Sequence, residues 1–240
     1  MMNWDELLEK TIGEIAAQWP NSCEILEAKG ADICFCGYTS LEDWIEDEEL
    51  DEAAVKKELL ECLQNEDSLV EYSPSLRVLT SKIVKEFHIP QKKQLNEILN
   101  LINTPTIACA TDPTYLKIKN YFNEFVADVL KHFACEESET FPELNQIDIF
   151  GTPELNPPKM QFGTVSGSLK HWEDEHMKVI EDVDKVVCEW VELKNKYNDE
   201  LVTTICQKLL AFVPALKRHV HFENYVLLPA SMKVEQALSH

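Results

Sequence analysis

The sequence has little glycine, few basic residues and no long apolar run. Only 6 of its 240 residues are glycine, which argues against glycine-rich phosphate loops and many-turned β-sandwiches and favours helices. Its 22 basic residues are outnumbered by 43 acidic ones, and the formal charge of −21 disfavours binding to nucleic acid and to anionic membranes. No apolar run reaches the ~18 residues of a membrane span. These absences favour a helical globular protein.

The first residues and the cysteines bear on where the protein works. Residues 1–6 have neither the basic nor the apolar segment of a signal peptide. The 8 cysteines suit a reducing compartment, and their spacing fits no CxxC…CxxC zinc framework. We therefore expect a cytoplasmic protein.

The chain is predicted to be all-α, with a small helical domain at residues 1–66 and a four-helix bundle at 75–240. The polar stretch 64–74 ends in proline and marks the boundary between them. Four long amphipathic stretches predict the bundle helices: 75–103, 113–140, 164–195 and 199–227. Residues 142–162, with four prolines and a glycine, are predicted to form a long crossover loop or lid.

One spacing occurs in both the second and the fourth helical stretch. Four apolar residues, a histidine and a glutamate follow one another at steps of 4, 3, 4, 3 and 4, and the two series are offset by 87 residues. The series are Ile118, Phe122, Phe125, Val129, His132 and Glu136, and Ile205, Leu209, Phe212, Leu216, His219 and Glu223. This is the spacing of the inward face of a bundle helix. Each helix is therefore predicted to carry an imidazole and a carboxylate into the core.

A buried histidine and glutamate one turn apart are costly unless something satisfies them. In a single HxxxE motif, the imidazole and the carboxylate ordinarily form a hydrogen bond with each other in the core. Two copies in register set two carboxylates opposite each other, and these repel unless a cation lies between them. The pattern therefore favours a metal site over a purely structural bundle.

Two further histidines extend the repeat. His88 precedes His132 by 44 residues, and His176 precedes His219 by 43. In the second hairpin both arms are ~30 Å long, so an antiparallel arrangement returns His219 to the level of His176. The first hairpin matches less closely. Each hairpin is thus predicted to supply one histidine followed by an HxxxE pair.

The other three histidines are not predicted to be ligands. His171 is more than a turn out of register and is predicted to be a loop or helix-entry residue, with a contact behind the ligands as the alternative. His221 lies about 200° around the helix from His219. His240 is the last residue of the sequence.

The predicted ligands are four imidazoles and two carboxylates: His88, His132, Glu136, His176, His219 and Glu223. Six ligands are too many for one closed zinc site, and the lack of a thiolate argues against copper(I) and iron–sulfur ligation. Imidazole with bridging carboxylates suits two iron ions, with manganese as the main competitor. If both glutamates bridge, open positions remain for oxide, hydroxide, oxygen or nitric oxide.

These motifs resemble those of the iron–sulfur cluster repair di-iron proteins, also called the repair of iron centres family. That family joins a small N-terminal cysteine domain to a hemerythrin-like bundle, and the similarity covers nearly the whole chain. The residues that carry it are Phe87-His88, His132 to Glu136 with Phe141-Pro142, Glu173 to His176, His219 to Pro229, Thr11 to Ile15, and Asp32 to Leu41.

The resemblance implies a cytosolic stress protein that helps to restore iron–sulfur clusters damaged by nitric oxide or peroxide, by supplying iron. Its partners would be damaged iron–sulfur proteins or cluster-assembly proteins, and its small ligands O2 or NO. The oligomeric state is left open, with a homodimer as one alternative. The alternatives are a hemerythrin-like carrier or sensor of oxygen or nitric oxide, and a nitric oxide-reducing enzyme. The repeated HxxxE argues against the oxygen carrier.

The sequence departs from the family pattern at two places. The family usually has adjacent cysteines in Cys-Cys-Gly-Gly, whereas here the segment is Cys34-Phe35-Cys36-Gly37. A redox-active, solvent-reachable pair and two small buried core residues are the alternatives for Cys34 and Cys36. Pro90 follows His88 by two residues, where a polar residue is usual, and predicts a kinked helix beside that ligand.

Overall fold

The computed structural model describes residues 3–35, 37–63, 72, 75–104, 107, 109–150 and 165–238. Regular structure in these residues is entirely helical, apart from one isolated bridge between Thr11 and Ser40. The all-α prediction is therefore confirmed. Among the described helices, none has the length and apolar character needed to cross a membrane.

Short helices make up the N-terminal part of the described chain. Thr11 and Glu14 form a capping box at the second helix, and the Ser40 hydroxyl accepts the N–H of Asp43 at the fourth. Gly30, with a φ of 94°, follows the end of the third helix in a conformation that favours glycine. The five helices are α1 (Trp4–Leu8), α2 (Ile12–Gln18), α3 (Ser22–Ala28), α4 (Leu41–Asp47) and α5 (Glu52–Leu63).

Four long helical stretches follow, and three of them contain a π-helical turn. The first consists of α6 (Leu76–Ile83), π1 (Val84–His88) and α7 (Ile89–Ile102), and the second of α8 (Pro113–Cys135), π2 (Glu136–Thr140) and α9 (Phe141–Phe150). The third is α10 (Val165–Lys196), and the fourth consists of α11 (Glu200–Phe222), π3 (Glu223–Leu227) and α12 (Leu228–Leu238). The four-helix prediction is confirmed. Pro90 lies just beyond π1, and the helix continues after it to Ile102.

The predicted crossover loop at 142–162 is wrong in its first part, because α9 continues to Phe150. Two apolar residues of α9, Leu144 and Ile147, are buried. The Thr80 hydroxyl also donates to the Asn145 side chain at 3.0 Å, so α9 packs on α6. This packing outweighs the turn-forming composition that the prediction rested on. Residues 151–164 lie outside the described part.

The chain divides into two compact units. One consists of Met1–Pro74 with Val220–Ala230, and the other of Ser75–His219 with Ser231–His240. The backbone of the fourth stretch is helical without a break from Glu200 to Leu238. The spacing of His219 and Glu223 is therefore set by the helix itself. Nothing in the structure tests whether residues 1–66 and 75–240 are separate domains, so that division stays a prediction.

Tyr225 is buried against two glycines of the first unit. A Cβ atom added to Gly13 or to Gly37 would overlap its ring, so glycine is required at both positions for this close approach. The Gly37 N–H donates to the Tyr225 hydroxyl at 2.8 Å, and the Asn224 side chain donates to the Cys34 carbonyl at 2.9 Å. The first unit is thus completed by a segment far along the chain.

The second unit is built on the two predicted apolar stripes. All eight apolar residues of the two series are at most 3% exposed. Helix α8 packs on α10 and on α7. The inward orientation predicted from the 4-3-4-3 spacing is confirmed, and it carries the polar ends of both stripes into the interior.

Candidate metal centre

The six predicted ligand residues come from all four long helical stretches. Three lie at an end of a π turn: His88, Glu136 and Glu223. The other three lie within α-helices: His132, His176 and His219. Five of the six are at most 2% exposed, and the side chain of His132 is 11% exposed. Such burial of titratable groups requires strong compensating interactions.

The ligand atoms form two clusters that share both glutamates. The first contains His88 and His219 with Glu136 and Glu223, and the second contains His132 and His176 with the same two glutamates. Within each cluster, one nitrogen or oxygen atom of every member lies within 4.8 Å of the others. Each cluster therefore has the donors for one cation, two nitrogens and two oxygens, with the carboxylates common to both.

The histidines pair differently from the hairpins of the sequence repeat. The rings of His88 and His219, from the first and fourth stretches, have centroids 4.9 Å apart. Those of His132 and His176, from the second and third stretches, have centroids 5.2 Å apart. Each cluster thus joins a lone histidine of one hairpin to the HxxxE histidine of the other.

A carboxylate orients the ring of His88. Its Nδ1 lies 2.7 Å from Oε1 of Glu137, and Lys92 donates to the same oxygen at 2.7 Å. Burial raises the pKa of Glu137, but the bonds from Lys92 and His88 outweigh it, and the pKa lies below its ordinary value. An ionised Glu137 accepts a hydrogen bond from Nδ1–H of His88, which directs the Nε2 lone pair of that ring toward the cluster.

Two further rings are held in the same way. Nδ1 of His132 lies 3.1 Å from Oε2 of Glu175, and Nδ1 of His219 lies 3.0 Å from Oε1 of Gln91. The other end of the Gln91 amide donates to a backbone carbonyl, which fixes its orientation. Both partners present acceptor oxygens, so Nδ1 carries the proton and Nε2 is the atom available to a metal.

Glu136 lies between two of these rings. Its Oε2 is 3.3 Å from Nε2 of His88, and its Oε1 is 3.1 Å from Nε2 of His132. With both Nδ1 protons directed outward, each contact brings a nitrogen lone pair to a carboxylate oxygen, and two acceptors at this distance repel. A divalent cation bound by both atoms removes the repulsion. The arrangement therefore fits one cation in each cluster, and metal binding by the six residues stays a prediction.

Sequence reasoning missed the residues that hold the Nδ1 atoms. Glu137 directly follows a predicted ligand, and Glu175 directly precedes one, so charge beside a ligand was a usable signal. Gln91 gave no such signal, because it is separated from His219 by 128 positions. Only the packing of the helices brings that pair together.

His221 lies outside both clusters, as its helical position predicts. Its Nε2 is 3.3 Å from the Gly13 carbonyl oxygen, within the first unit. Burial lowers the pKa of His221 to about 4, so the ring is neutral at physiological pH. The side chain of His171 and the whole of His240 lie outside the described residues.

The two candidate redox thiols are described only in part. Cys34 is 1% exposed, and its N–H donates to the Asp32 carboxylate at 3.0 Å. Its burial supports the interpretation as a core residue. Cys36 lies outside the described residues, so a reactive pair stays a prediction.

Brief treatment of the native protein with a thiol reagent near neutral pH is expected to label Cys188 well before Cys34, Cys109 and Cys206. Cys188 is exposed and the other three are buried. Burial also raises the pKa of Cys109 to about 11 and raises that of Cys206, which keeps both as unreactive thiols. Mass spectrometry of the labelled peptides over time measures the order. Labelling of Cys34 as fast as that of Cys188 would overturn the core interpretation.

Comparison with known proteins identifies a family and a distant relative. Residues 79–231 match the family model described as the hemerythrin HHE cation binding domain. A protein of Haemophilus influenzae named probable iron-sulfur cluster repair protein is 22% identical over 230 residues, which cover 92% of this chain and 96% of that protein. The first match covers both metal-site candidates, and the second extends over the N-terminal part as well.

Proposed function

This chain belongs to the hemerythrin HHE cation-binding family, and on that premise we propose that it holds two iron ions and helps to repair damaged iron–sulfur clusters. The observation that carries the di-metal part is the sharing of Glu136 and Glu223 by two clusters that each add two imidazoles. Carboxylates common to both clusters suit a bridged pair of cations better than two independent ones.

The donor chemistry supports iron. Each cluster offers imidazole nitrogen and carboxylate oxygen, and neither includes a cysteine sulfur, which disfavours copper(I). Closed structural zinc sites take four ligands per ion and do not ordinarily share two of them. Imidazole with carboxylate suits iron, with manganese as the competing metal.

The repair role is supported by the relative from Haemophilus influenzae, whose name is probable iron-sulfur cluster repair protein. The similarity covers nearly all of both chains, including the segment with Cys34. We infer that this chain acts in the cytosol under oxidative or nitrosative stress. Its clients would be damaged iron–sulfur proteins or the proteins that assemble clusters.

The side chains of this protein have separable tasks in that role. Glu136 and Glu223 join the two clusters and offset the charge of both cations. Glu137, Glu175 and Gln91 hold three imidazoles with Nε2 inward. Bound iron would supply either the ion given to a damaged cluster or a binding site for a small ligand such as O2 or NO.

Protein purified without a metal-affinity tag is expected to contain two iron ions per chain. Added to an iron–sulfur dehydratase inactivated by peroxide, it is expected to restore the activity of that enzyme. Metal analysis and the dehydratase assay measure the two parts separately. The matched control is Glu223→Ala, which removes one carboxylate from both clusters and is expected to restore no activity.

Three outcomes would contradict the proposal. Loading with a metal other than iron would contradict the cofactor. Equal recovery with wild type and Glu223→Ala would show that repair does not depend on the clusters. Steady consumption of nitric oxide with a reductant, without recovery of the dehydratase, would favour the nitric oxide-reducing enzyme instead.

A further inference from the structure

Each π turn described in the structure contains one candidate metal ligand. His88 is the last residue of π1, whereas Glu136 and Glu223 are the first residues of π2 and π3. A π turn closes its hydrogen bond over five residues instead of four; such turns are rare and are frequently found at functional sites. Its recurrence at three ligands calls for a local cause.

A proline stands at the same distance after all three π turns. Each π turn is followed by one apolar residue and then a proline: Ile89-Pro90, Phe141-Pro142 and Leu228-Pro229. The N–H just before each proline donates to the carbonyl five residues back: that of Val84, Glu136 and Glu223. A proline in a regular α-helix clashes with the carbonyl four residues back. In each case that carbonyl lies in the middle of the π turn, where the extra residue widens the helix.

Three side chains in or next to π2 contact the ring of His88. Glu136 contacts Nε2 of His88 at 3.3 Å, and the next residue, Glu137, contacts Nδ1 of the same ring at 2.7 Å. Phe141 stacks on that ring with centroids 5.7 Å apart. In a regular α-helix, residues five apart point about 140° away from each other. The π turn brings Glu136 and Phe141 to one side.

Three side chains in or near π1 contact the ring of His219. Phe87 stacks on His219 with centroids 5.1 Å apart and an interplanar angle of 9°. The ring of the next residue, His88, lies roughly perpendicular to the same ring, with centroids 4.9 Å apart. Gln91, directly after Pro90, accepts from Nδ1 of His219 at 3.0 Å. Here two consecutive side chains and one residue beyond the proline converge on a single imidazole.

We propose that Pro90 and Pro142 are positioning residues of the metal centre. Each holds the preceding turn in the π form and thereby sets two consecutive side chains against one ligating imidazole. Pro90 is exposed, so its effect comes from the backbone and not from packing of its ring. The effect on metal affinity rests on the proposed metal-binding function, whereas the effect on the turn does not.

The chain offers a matched control in Pro214. It lies inside α11 and is exposed, and no π turn precedes it, since α11 is α-helical from Glu200 to Phe222. Replacing any of these prolines with alanine restores an N–H and improves helix propensity. Only at Pro90 and Pro142 does the proposal predict a change at the metal centre.

The experiment compares full-length Pro142→Ala, Pro90→Ala and Pro214→Ala with wild type. Crystal structures of the metal-free proteins report the turns, thermal unfolding reports stability, and anaerobic competition with a chelator reports the affinity for ferrous iron. In Pro142→Ala we expect residues 136–140 to become α-helical and Phe141 to leave the His88 ring. We expect its midpoint of unfolding to be unchanged or higher. Its iron affinity should fall about tenfold or more, as when residues that orient a ligand are changed.

Pro90→Ala is expected to move Phe87 and Gln91 away from His219, with a similar loss of affinity for iron. If Pro142→Ala fails to fold, Pro90→Ala by itself tests the proposal. Pro214→Ala should keep the affinity of wild type. A retained π turn in both test variants, or iron affinities within about twofold of wild type, would overturn the proposal. If wild type itself binds no iron, the proposed function fails, and the metal-free structures still decide whether the prolines position these side chains.

Discussion

Glu136→Ala is expected to remove iron from both clusters at once. Glu136 is a member of each cluster, and its two oxygens lie 3.3 and 3.1 Å from Nε2 of His88 and His132. Its loss takes one donor and one negative charge from both cations together. Affinity for iron should fall by more than about 100-fold, beyond the losses caused by changes behind the ligands. Metal analysis of the purified variant and chelator competition measure this loss.

The matched control is His88→Ala. That variant takes a donor from one cluster only, and water can fill the open position, so it should retain more iron than Glu136→Ala. Glu223→Ala should resemble Glu136→Ala, since Glu223 is also common to both clusters. Equal or greater iron content in the glutamate variants than in His88→Ala would contradict the bridging assignment.

Gly37→Ala is expected to destabilise the first compact unit by ~1–3 kcal/mol, the usual cost of overpacking. The added Cβ would overlap the ring of Tyr225. Moving the ring away would also break the 2.8 Å hydrogen bond from the Gly37 N–H to the Tyr225 hydroxyl. Chemical denaturation measures the loss, and amide hydrogen exchange of residues 11–45 shows whether it is confined to this unit.

A double-mutant cycle isolates the cause. In a Tyr225→Ala background the ring is gone, so adding Gly37→Ala should change the stability by less than ~0.5 kcal/mol. Gly13→Ala should behave in the same way, because its Cβ would overlap the same ring. If Gly37→Ala is equally destabilising with and without the ring, the clash with Tyr225 is not the reason.

The helices of the bundle could be predicted because their pattern is local. The apolar steps leading to His132 and His219 repeat with a helical period, and burying such a stripe orients the polar residues that continue it. The same reasoning placed His221 away from the clusters. It needed no knowledge of which helix lies beside which.

Composition was a poorer guide than periodicity. Prolines and a glycine predicted a loop from residue 142, yet Pro142 stands near the beginning of α9 and the helix continues to Phe150. Pro142 stands inside a continuous helical stretch, directly after π2 and Phe141, and the widened turn accommodates its ring. The buried contacts of Leu144 and Ile147 then stabilise a helix that propensity alone disfavours. The kink predicted at Pro90 likewise did not take into account that a π turn can accommodate the ring of a proline.

The sequence by itself determined an all-α protein with six polar residues brought into the core of a four-helix bundle, because helical periodicity relates each residue to neighbours within one or two turns. Only the tertiary structure decided that His88 shares a cluster with His219 and His132 with His176. It alone decided that Gln91 holds a ring 128 positions away and that residues 220–230 complete the N-terminal unit. These contacts join distant parts of the chain, and their distances depend on how the helices pack, which no local spacing records.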